Sequence, residues 1–377
     1  MKDTPISPAK SNLNRRALIK GGLMAGGVAA LGTDLLTKAT PALAQGDFNS
    51  HRPLDRGDVA ILRFLAAAEI IESDLWVQYN ELGGLTSGVP VEDNPNPPAL
   101  NAYQTALSNL DTDGPQYITS NTNDEISHAT FLNAYLESRG AEPVNFDEFR
   151  TLQGSMATGA QNIGRLTNLG HLNVDTSWFT RYRGTPNPDV TPSASFPQAV
   201  TITNRRAIPL SDADFNNPQG IQVIANTAAF HFGFIEGGGT SLYATMAQKV
   251  NHPEVLQIVL GIGGDEIAHF LEWVDFAGNG VQQPVAPVSS GGLTFPDFFA
   301  THNPQIQPSL IFPIPAQFIS TKLPLCATIR PITEKFAGAQ AAVTAFTNDG
   351  LFTGQPKTFL NLLKQMAEEA DAAFRIF

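Results

Sequence analysis

Two octapeptides, GGDEIAHF (Gly263–Phe270) and NDEISHAT (Asn123–Thr130), share the pattern Asp-Glu-Ile-small-His. The chain has only seven histidines and 15 glutamates in 377 residues, so composition is a weak explanation for two Glu-x-x-His spacings. On an α-helix, residues three apart lie about 60° apart around the axis and share a face. Glu125 with His128, and Glu266 with His269, can therefore each direct a carboxylate and an imidazole at one metal ion.

The surroundings of both motifs predict helices, and the helices come in two pairs. Residues 58–82 carry Val59, Ile61, Leu62, Leu65, Ala66, Ile70, Leu75, Trp76 and Tyr79 at helical spacing, with Gly83-Gly84 as a stop. A second helix lies within 99–138, broken near Gly114-Pro115 and ended by Gly140. The third is expected over about 218–250, and the fourth from Pro253, a favourable first-turn residue, to Gly278. Residues 141–217 are rich in Gly, Pro, Ser, Thr and Asn, with strand-like runs such as Ala199–Thr203. That is too long for an ordinary loop and reads as an elaborated crossover or lid. After the fourth helix, residues 281–331 are Pro-rich, which argues against a continuous helix or a central strand. Residues 334–347 and 356–377 read as helices again, the last with Phe359, Leu362, Leu363, Met366, Ala370 and Phe374 on one stripe that packs on the outside of the helices before it.

Each of the other two helices offers a glutamate. Glu72 is followed seven residues later by Tyr79, and Glu236 by Tyr243, and each glutamate has an Ile before it. Seven residues are nearly two turns, so glutamate and tyrosine share a face. The chain order is then Glu, Glu-x-x-His, Glu, Glu-x-x-His, the ligand set of carboxylate-bridged di-iron and di-manganese four-helix bundles. On this reading Glu72 and Glu236 are terminal ligands, Glu125 and Glu266 bridge, His128 and His269 hold one metal each, and Tyr79 and Tyr243 support the carboxylates. Glu69, one turn before Glu72, is the alternative first-helix ligand. Four carboxylates converging in an apolar interior need compensating cations, and two divalent ions supply them. Oxygen-rich ligation with one imidazole per metal suits two iron or two manganese ions.

The third helix has an oddity. Gly237-Gly238-Gly239 directly follows Glu236 and should cost about 3 kcal/mol of helix propensity relative to alanine. Either another backbone approaches closely there, or the helix is interrupted and Glu236 is not a ligand. His231 lies roughly 140° around the helix from Glu236 and reads as a packed or surface histidine. Trp76, Trp178 and Trp273 read as core, and His171, His252 and His302 are assigned no role.

Bulk composition narrows the function classes. The first 44 residues read as an export leader: Arg15-Arg16 as a twin-arginine pair, a mild apolar stretch over 21–32, and Ala42-Leu43-Ala44 ahead of cleavage before Gln45. The apolar run is too short for a stable membrane span, so no stable membrane insertion is expected after cleavage, and the destination is the periplasm or the exterior. The leader carries a net +4, and removing it from −12 leaves −16 for the rest. So acidic a chain, with no basic cluster, is a poor partner for nucleic acid. A single cysteine, Cys326, excludes an intrachain disulfide framework and multi-cysteine zinc or iron–sulfur sites.

The stretches AAEIIESDLW (Ala67–Trp76), NDEISHATFLNAYLESRGAEPV (Asn123–Val144), Glu236 and DEIAH (Asp265–His269) resemble the ferritin-like superfamily, and within it the exported branch that includes the desiccation-related proteins. The resemblance spans roughly residues 57–280, apart from most of 141–217. It implies an all-α core: a ferritin-like four-helix bundle with a long crossover between its second and third helices, and a C-terminal extension over 281–377. It also implies a dinuclear iron or manganese centre acting on dioxygen or hydrogen peroxide, as an oxidoreductase of ferroxidase or catalase type. The alternative is a stress-protective or structural protein without enzymatic activity. An iron-storage cage ranks last, because the crossover and the extension would obstruct cage contacts.

Overall fold

Glycine and proline punctuate the helices where the sequence places them. The computed structural model describes residues 53–85, 99–183, 196–279, 288–296, 312–315, 322, 325–328 and 338–376. These fall within the unit Pro53–Phe377. The expected leader and cleavage site, and the start of the helix expected from Glu334, lie outside them.

The protein is mostly helical, with eight α-helices among the described residues. Helix α1 (Arg56–Gly83) starts where the Asp55 carboxylate accepts from the Asp58 amide at 2.8 Å, and it ends at the Gly83-Gly84 pair. The second predicted helix is split into α2 (Ala102–Ser108) and α3 (Gly114–Ser138), with Pro115 in the first turn of α3. In the crossover lies the short α4 (Ser177–Arg183). Helix α5 (Pro218–Ala247) is capped by Asn217, whose side chain accepts from the Gly220 amide, and α6 (Pro253–Asn279) follows it closely. Helices α7 (Ala339–Asp349) and α8 (Lys357–Asp371) complete the set.

Helix α1 packs along α3, and α5 along α6, so both predicted pairs exist as neighbours. Apolar residues of all four helices, among them Leu65, Trp76, Leu132, Phe232 and Trp273, are buried in one core. Helix α5 runs unbroken through its three glycines. A Cβ on Gly239 would stand 1.9 Å from Glu266 Oε2, and one on Gly237 would stand 3.3 Å from the Phe270 ring. The reciprocal Gly263 of α6 would place a Cβ 2.8 Å from Tyr243 Cβ. Close approach of α5 and α6 is thus the reason for glycine at these places, and Glu236 stays helical.

The crossover is a packed layer. It contributes Leu166, Leu169, Leu172, Trp178 and Ile208 to the core, and a short antiparallel pair, β1 (Leu152–Gln153) with β2 (Gly164–Arg165). Two carboxylates of α1 pin it. Buried Asp74 accepts from the amides of Leu166 and Thr167 at 3.0 and 2.9 Å and from Arg150 at 2.7 Å. Glu81 accepts from buried Arg165 at 2.6 Å. The strand-like run 199–203 forms no strand. Its neighbourhood is held by an isolated bridge between Leu172 and Arg205 and by Thr176, whose hydroxyl donates to the Val200 carbonyl at 2.8 Å. In the Pro-rich segment the described residues form two small antiparallel pairs, β3 (Val288–Ser290) with β4 (Leu293–Phe295) and β5 (Phe312–Pro315) with β6 (Leu325–Thr328). Helix α8 packs on α1 and buries Phe359, Leu363, Met366 and Ala370, whereas Phe374 lies beyond its end and is exposed. The Asp371 carboxylate accepts from the amides of Ala339 and Gln340, capping α7.

The glycines of α5 make a paired prediction. A Cβ on Gly233 would meet Trp178 Cζ2 at 2.3 Å, whereas one on Gly238 meets nothing within 4 Å. Gly233→Ala should destabilise by about 1–3 kcal/mol through overpacking. Gly238→Ala should stabilise by up to about 1 kcal/mol through helix propensity. Urea denaturation of both variants checks the opposite signs.

Candidate metal centre

The four long helices aim acidic side chains at one buried volume. Glu69 and Glu72 come from α1, Glu125 and His128 from α3, Glu236 from α5, and Glu266 and His269 from α6; all are buried. His128 Nδ1 stands 3.4 Å from both Glu69 Oε2 and Glu125 Oε2, and 4.0 Å from Glu266 Oε1. His269 Nδ1 stands 3.1 Å from Glu125 Oε1 and 3.4 Å from Glu236 Oε2. Two overlapping donor sets result: Glu69, Glu125, His128 and Glu266, and Glu125, Glu236 and His269, each with ligand atoms within 4.8 Å of one another. Glu125 belongs to both.

The outer ring nitrogens explain why aspartate precedes glutamate in both motifs. His128 Nε2 lies 3.2 Å from Asp265 Oδ2, and His269 Nε2 lies 3.4 Å from Asp124 Oδ2. Each motif's aspartate thus reaches the histidine of the other motif. A carboxylate accepting Nε2–H fixes the ring with Nδ1 aimed at the interior, where a bound cation would take the place of a proton.

The same exchange governs the terminal carboxylates. Tyr243 on α5 donates its phenol hydrogen to Glu69 Oε1 on α1. Trp76 on α1 donates Nε1–H to Glu236 Oε1 on α5 at 3.0 Å. Four residues beyond each glutamate a hydroxyl ties the helix pair together: Ser73 to the Glu125 carbonyl at 3.0 Å, and Thr240 to the Glu266 carbonyl at 3.2 Å. Glu69, Ser73 and Trp76 are therefore the counterparts of Glu236, Thr240 and Tyr243.

That register corrects two expectations. Glu69, not Glu72, occupies the position equivalent to Glu236, because the seven-residue partner on α1 is Trp76 and not Tyr79. Glu72 is buried beside the cluster but belongs to neither donor set. Tyr79 does not reach a cluster carboxylate, since its phenol lies 2.7 Å from His231 Nδ1. His231, expected as a packed or surface residue, is fully buried with two polar partners. Sequence reasoning also passed over Asp124 and Asp265, although their presence in both copies of the repeat was a visible signal.

Electrostatically the cluster is overloaded with acid. Burial, then the charge of Glu125, pushes Glu72 well above the usual carboxylate range. Glu266 is raised by the same two causes in the same order. Burial and the Glu69 charge lift Glu125 to about 8, whereas in Glu69 burial acts upward but the nearby His128, Glu125 and Tyr243 side chains outweigh it and lower the group. Burial opposes the charged form of His128, yet its contacts with Asp265, Glu125 and Glu69 prevail and raise it to about 12. Even so, Glu69 Oε2, Glu125 Oε1, Glu236 Oε2 and both oxygens of Glu266 are buried without a hydrogen bond. A buried carboxylate oxygen without a donor is costly, and a cation is the partner this donor set fits. Beside the cluster an open groove of about 590 Å³, lined by His128, Phe131, Gln257, Ile258, Gly261, Ile262, Gly264 and Asp265, connects His128 to the surface.

No family model, curated protein or solved structure matches the chain.

The proton inventory makes a prediction for metal-stripped protein. Glu125 keeps its proton up to about 8 in the folded state, against 4.5 ordinarily, and His128 keeps its own to about 12, against 6.5. The folded state then holds more protons than the unfolded chain, so stability present below 4.5 is lost as pH rises toward 8. The melting temperature of metal-stripped protein should fall across that window. Metal-loaded protein should not follow, because cations replace the protons, and calorimetry of both forms compares them.

Proposed function

We propose that the protein is an exported ferritin-like four-helix bundle whose carboxylate cluster holds two iron or two manganese ions for redox chemistry on dioxygen or hydrogen peroxide. The observation that carries this is the pair of overlapping Glu/His donor sets sharing Glu125, with five buried carboxylate oxygens that accept no hydrogen bond. Ferroxidase and catalase activities are the two forms this chemistry takes. Export by the twin-arginine route, which transports folded proteins, accords with loading metal beforehand.

Glu69, His128 and Glu266 would hold one ion and Glu236 and His269 the other, with Glu125 available to both. Four carboxylates would balance two divalent cations, and the fifth acid, Glu72, lies outside both donor sets, its proton affinity raised by burial and then by the charge of Glu125. Bound there, the ions supply one-electron changes of oxidation state to the small oxidant. The rest is the work of the chain. Tyr243 and Trp76 orient Glu69 and Glu236, and Asp265 and Asp124 fix the imidazoles. The groove at His128 gives small molecules their route, which a closed structural site would not need.

Elemental mass spectrometry tests this directly. Purified protein should carry about two equivalents of iron or manganese, lost in Glu125→Ala and in His269→Ala. Glu69→Gln should lower the content more than Glu72→Gln does. Folded wild-type protein that takes up neither metal after reconstitution would sink the reading.

Asp265→Asn and Asp124→Asn supply a further check. Each replaces the charged acceptor of one imidazole with a neutral amide, so metal affinity measured by competition with a chelator should weaken about 10–100-fold. Both variants should fold, because the two aspartates are partly exposed.

A further inference from the structure

One buried polar chain lies outside the work of the cluster. The phenol oxygen of Tyr79 on α1 is 2.7 Å from His231 Nδ1 on α5, and His231 Nε2 is 3.0 Å from Asp349 Oδ2 at the end of α7. None of the three is more than 1% exposed. With the Asp349 carboxylate accepting Nε2–H, Nδ1 bears the lone pair and Tyr79 is the donor. Among the other tyrosines, Tyr103 donates to the Ala207 carbonyl, Tyr243 to Glu69 and Tyr135 to Glu254, so these phenols face oxygen and not imidazole.

Tyr79 also adjoins an aromatic path to the cluster. Its ring centroid is 5.7 Å from that of Trp76, whose Nε1 donates to Glu236. Trp76 in turn stacks on Phe232 at 4.9 Å and on Trp273 at 5.4 Å. A phenol in an apolar interior cannot lose an electron alone, because the cation left behind would be desolvated. A base at hydrogen-bond distance removes that obstacle, since the proton can leave as the electron does. His231 is such a base, and the imidazolium it becomes is compensated by Asp349.

We propose that Tyr79 is a redox-active tyrosine, with His231 as its proton acceptor and Asp349 as the residue that positions and charge-balances the imidazole. For its native oxidant this rests on the dimetal reading. One electron leaves the Tyr79 ring by way of Trp76 and reduces a metal pair that hydrogen peroxide has oxidised. The Tyr79 O–H bond breaks, and its proton goes to His231 Nδ1. The products are a neutral tyrosyl radical and an imidazolium paired with Asp349, and the reverse transfer restores the starting state. The chain thereby stores one oxidising equivalent close to the cluster but sealed from solvent.

The test has a metal-free arm and a metal-loaded arm. In the first, azide radicals from pulse radiolysis oxidise metal-stripped protein; in the second, hydrogen peroxide is added to iron- or manganese-loaded protein. Histidine labelled with a heavy nitrogen isotope identifies the site by electron paramagnetic resonance, without any substitution. The expected result is a neutral tyrosyl radical coupled to a histidine nitrogen in both arms, absent from Tyr79→Phe. In His231→Gln its decay should be about two- to tenfold faster, the rate equivalent of one lost hydrogen bond. Metal bound with no histidine-coupled radical in either arm overturns the tyrosine proposal and leaves the dimetal reading standing. A coupled radical in the azide arm of a protein that binds no metal does the reverse. A radical undiminished in folded Tyr79→Phe, or one without the nitrogen coupling, also overturns the proposal. If Tyr79→Phe does not fold, the nitrogen coupling in the wild type decides alone.

Discussion

Carboxylates do not enter an apolar interior unless something there neutralises them, and this protein buries Glu69, Glu72, Glu125, Glu236 and Glu266 in one place. Two histidines, even if both are protonated, cannot balance five acids. The remainder is met by protons or by cations. The raised proton affinities of Glu72, Glu125 and Glu266 express the first solution, and the carboxylate oxygens that accept no hydrogen bond mark where the second would be felt. The surrounding packing holds this cluster in place. Gly239 makes room for Glu266, the close approach of α5 to α6 follows, and the aromatic layer of Trp76, Phe232 and Trp273 seals one side.

Neither helix pair completes its own half of the site. Tyr243 of the second pair serves Glu69 of the first, and Trp76 of the first serves Glu236 of the second. Asp265 serves His128, and Asp124 serves His269. A helix pair alone would carry buried carboxylates without donors and imidazoles without acceptors. Such reciprocal satisfaction penalises any sliding of one pair against the other, because a shift removes several hydrogen bonds at once. It accounts for the aspartate that precedes both Glu-x-x-His motifs, where Glu-x-x-His alone would suffice for ligation.

The repeat, the two helix pairs and their glycine and proline boundaries were legible because each rests on local chemistry: periodicity, caps and breakers. The register of α1 was not. Glu69 and Glu72 lie on neighbouring lines of one helix face, and both fit an Ile-flanked, apolar pattern. The choice turned on the seven-residue partner, and tyrosine at 79 looked the better match to tyrosine at 243. Tryptophan at 76 does the same task with an indole N–H, an equivalence of donors and not of residue types. Crossover anchoring by Asp74 and Glu81 was invisible for another reason. Each forms its contacts with residues about 80 to 90 positions away, and no window of sequence reports such a pairing.

The C-terminal helices, expected only to pack on the outside, do more than cover the core. Asp349, the last residue of α7, is the partner that determines which nitrogen of His231 carries hydrogen, and through it the direction of the Tyr79 hydrogen bond. Helix α7 is in turn held by Asp371 of α8, which also accepts from Lys249 near the end of α5. The extension is thereby tied to the helix that carries Glu236, and a buried carboxylate is delivered to the core from the far end of the chain. A segment needed only for burial would have no reason to place an acid there. An aspartate carried inward is costly unless it has a polar partner there, and the imidazole of His231 is that partner.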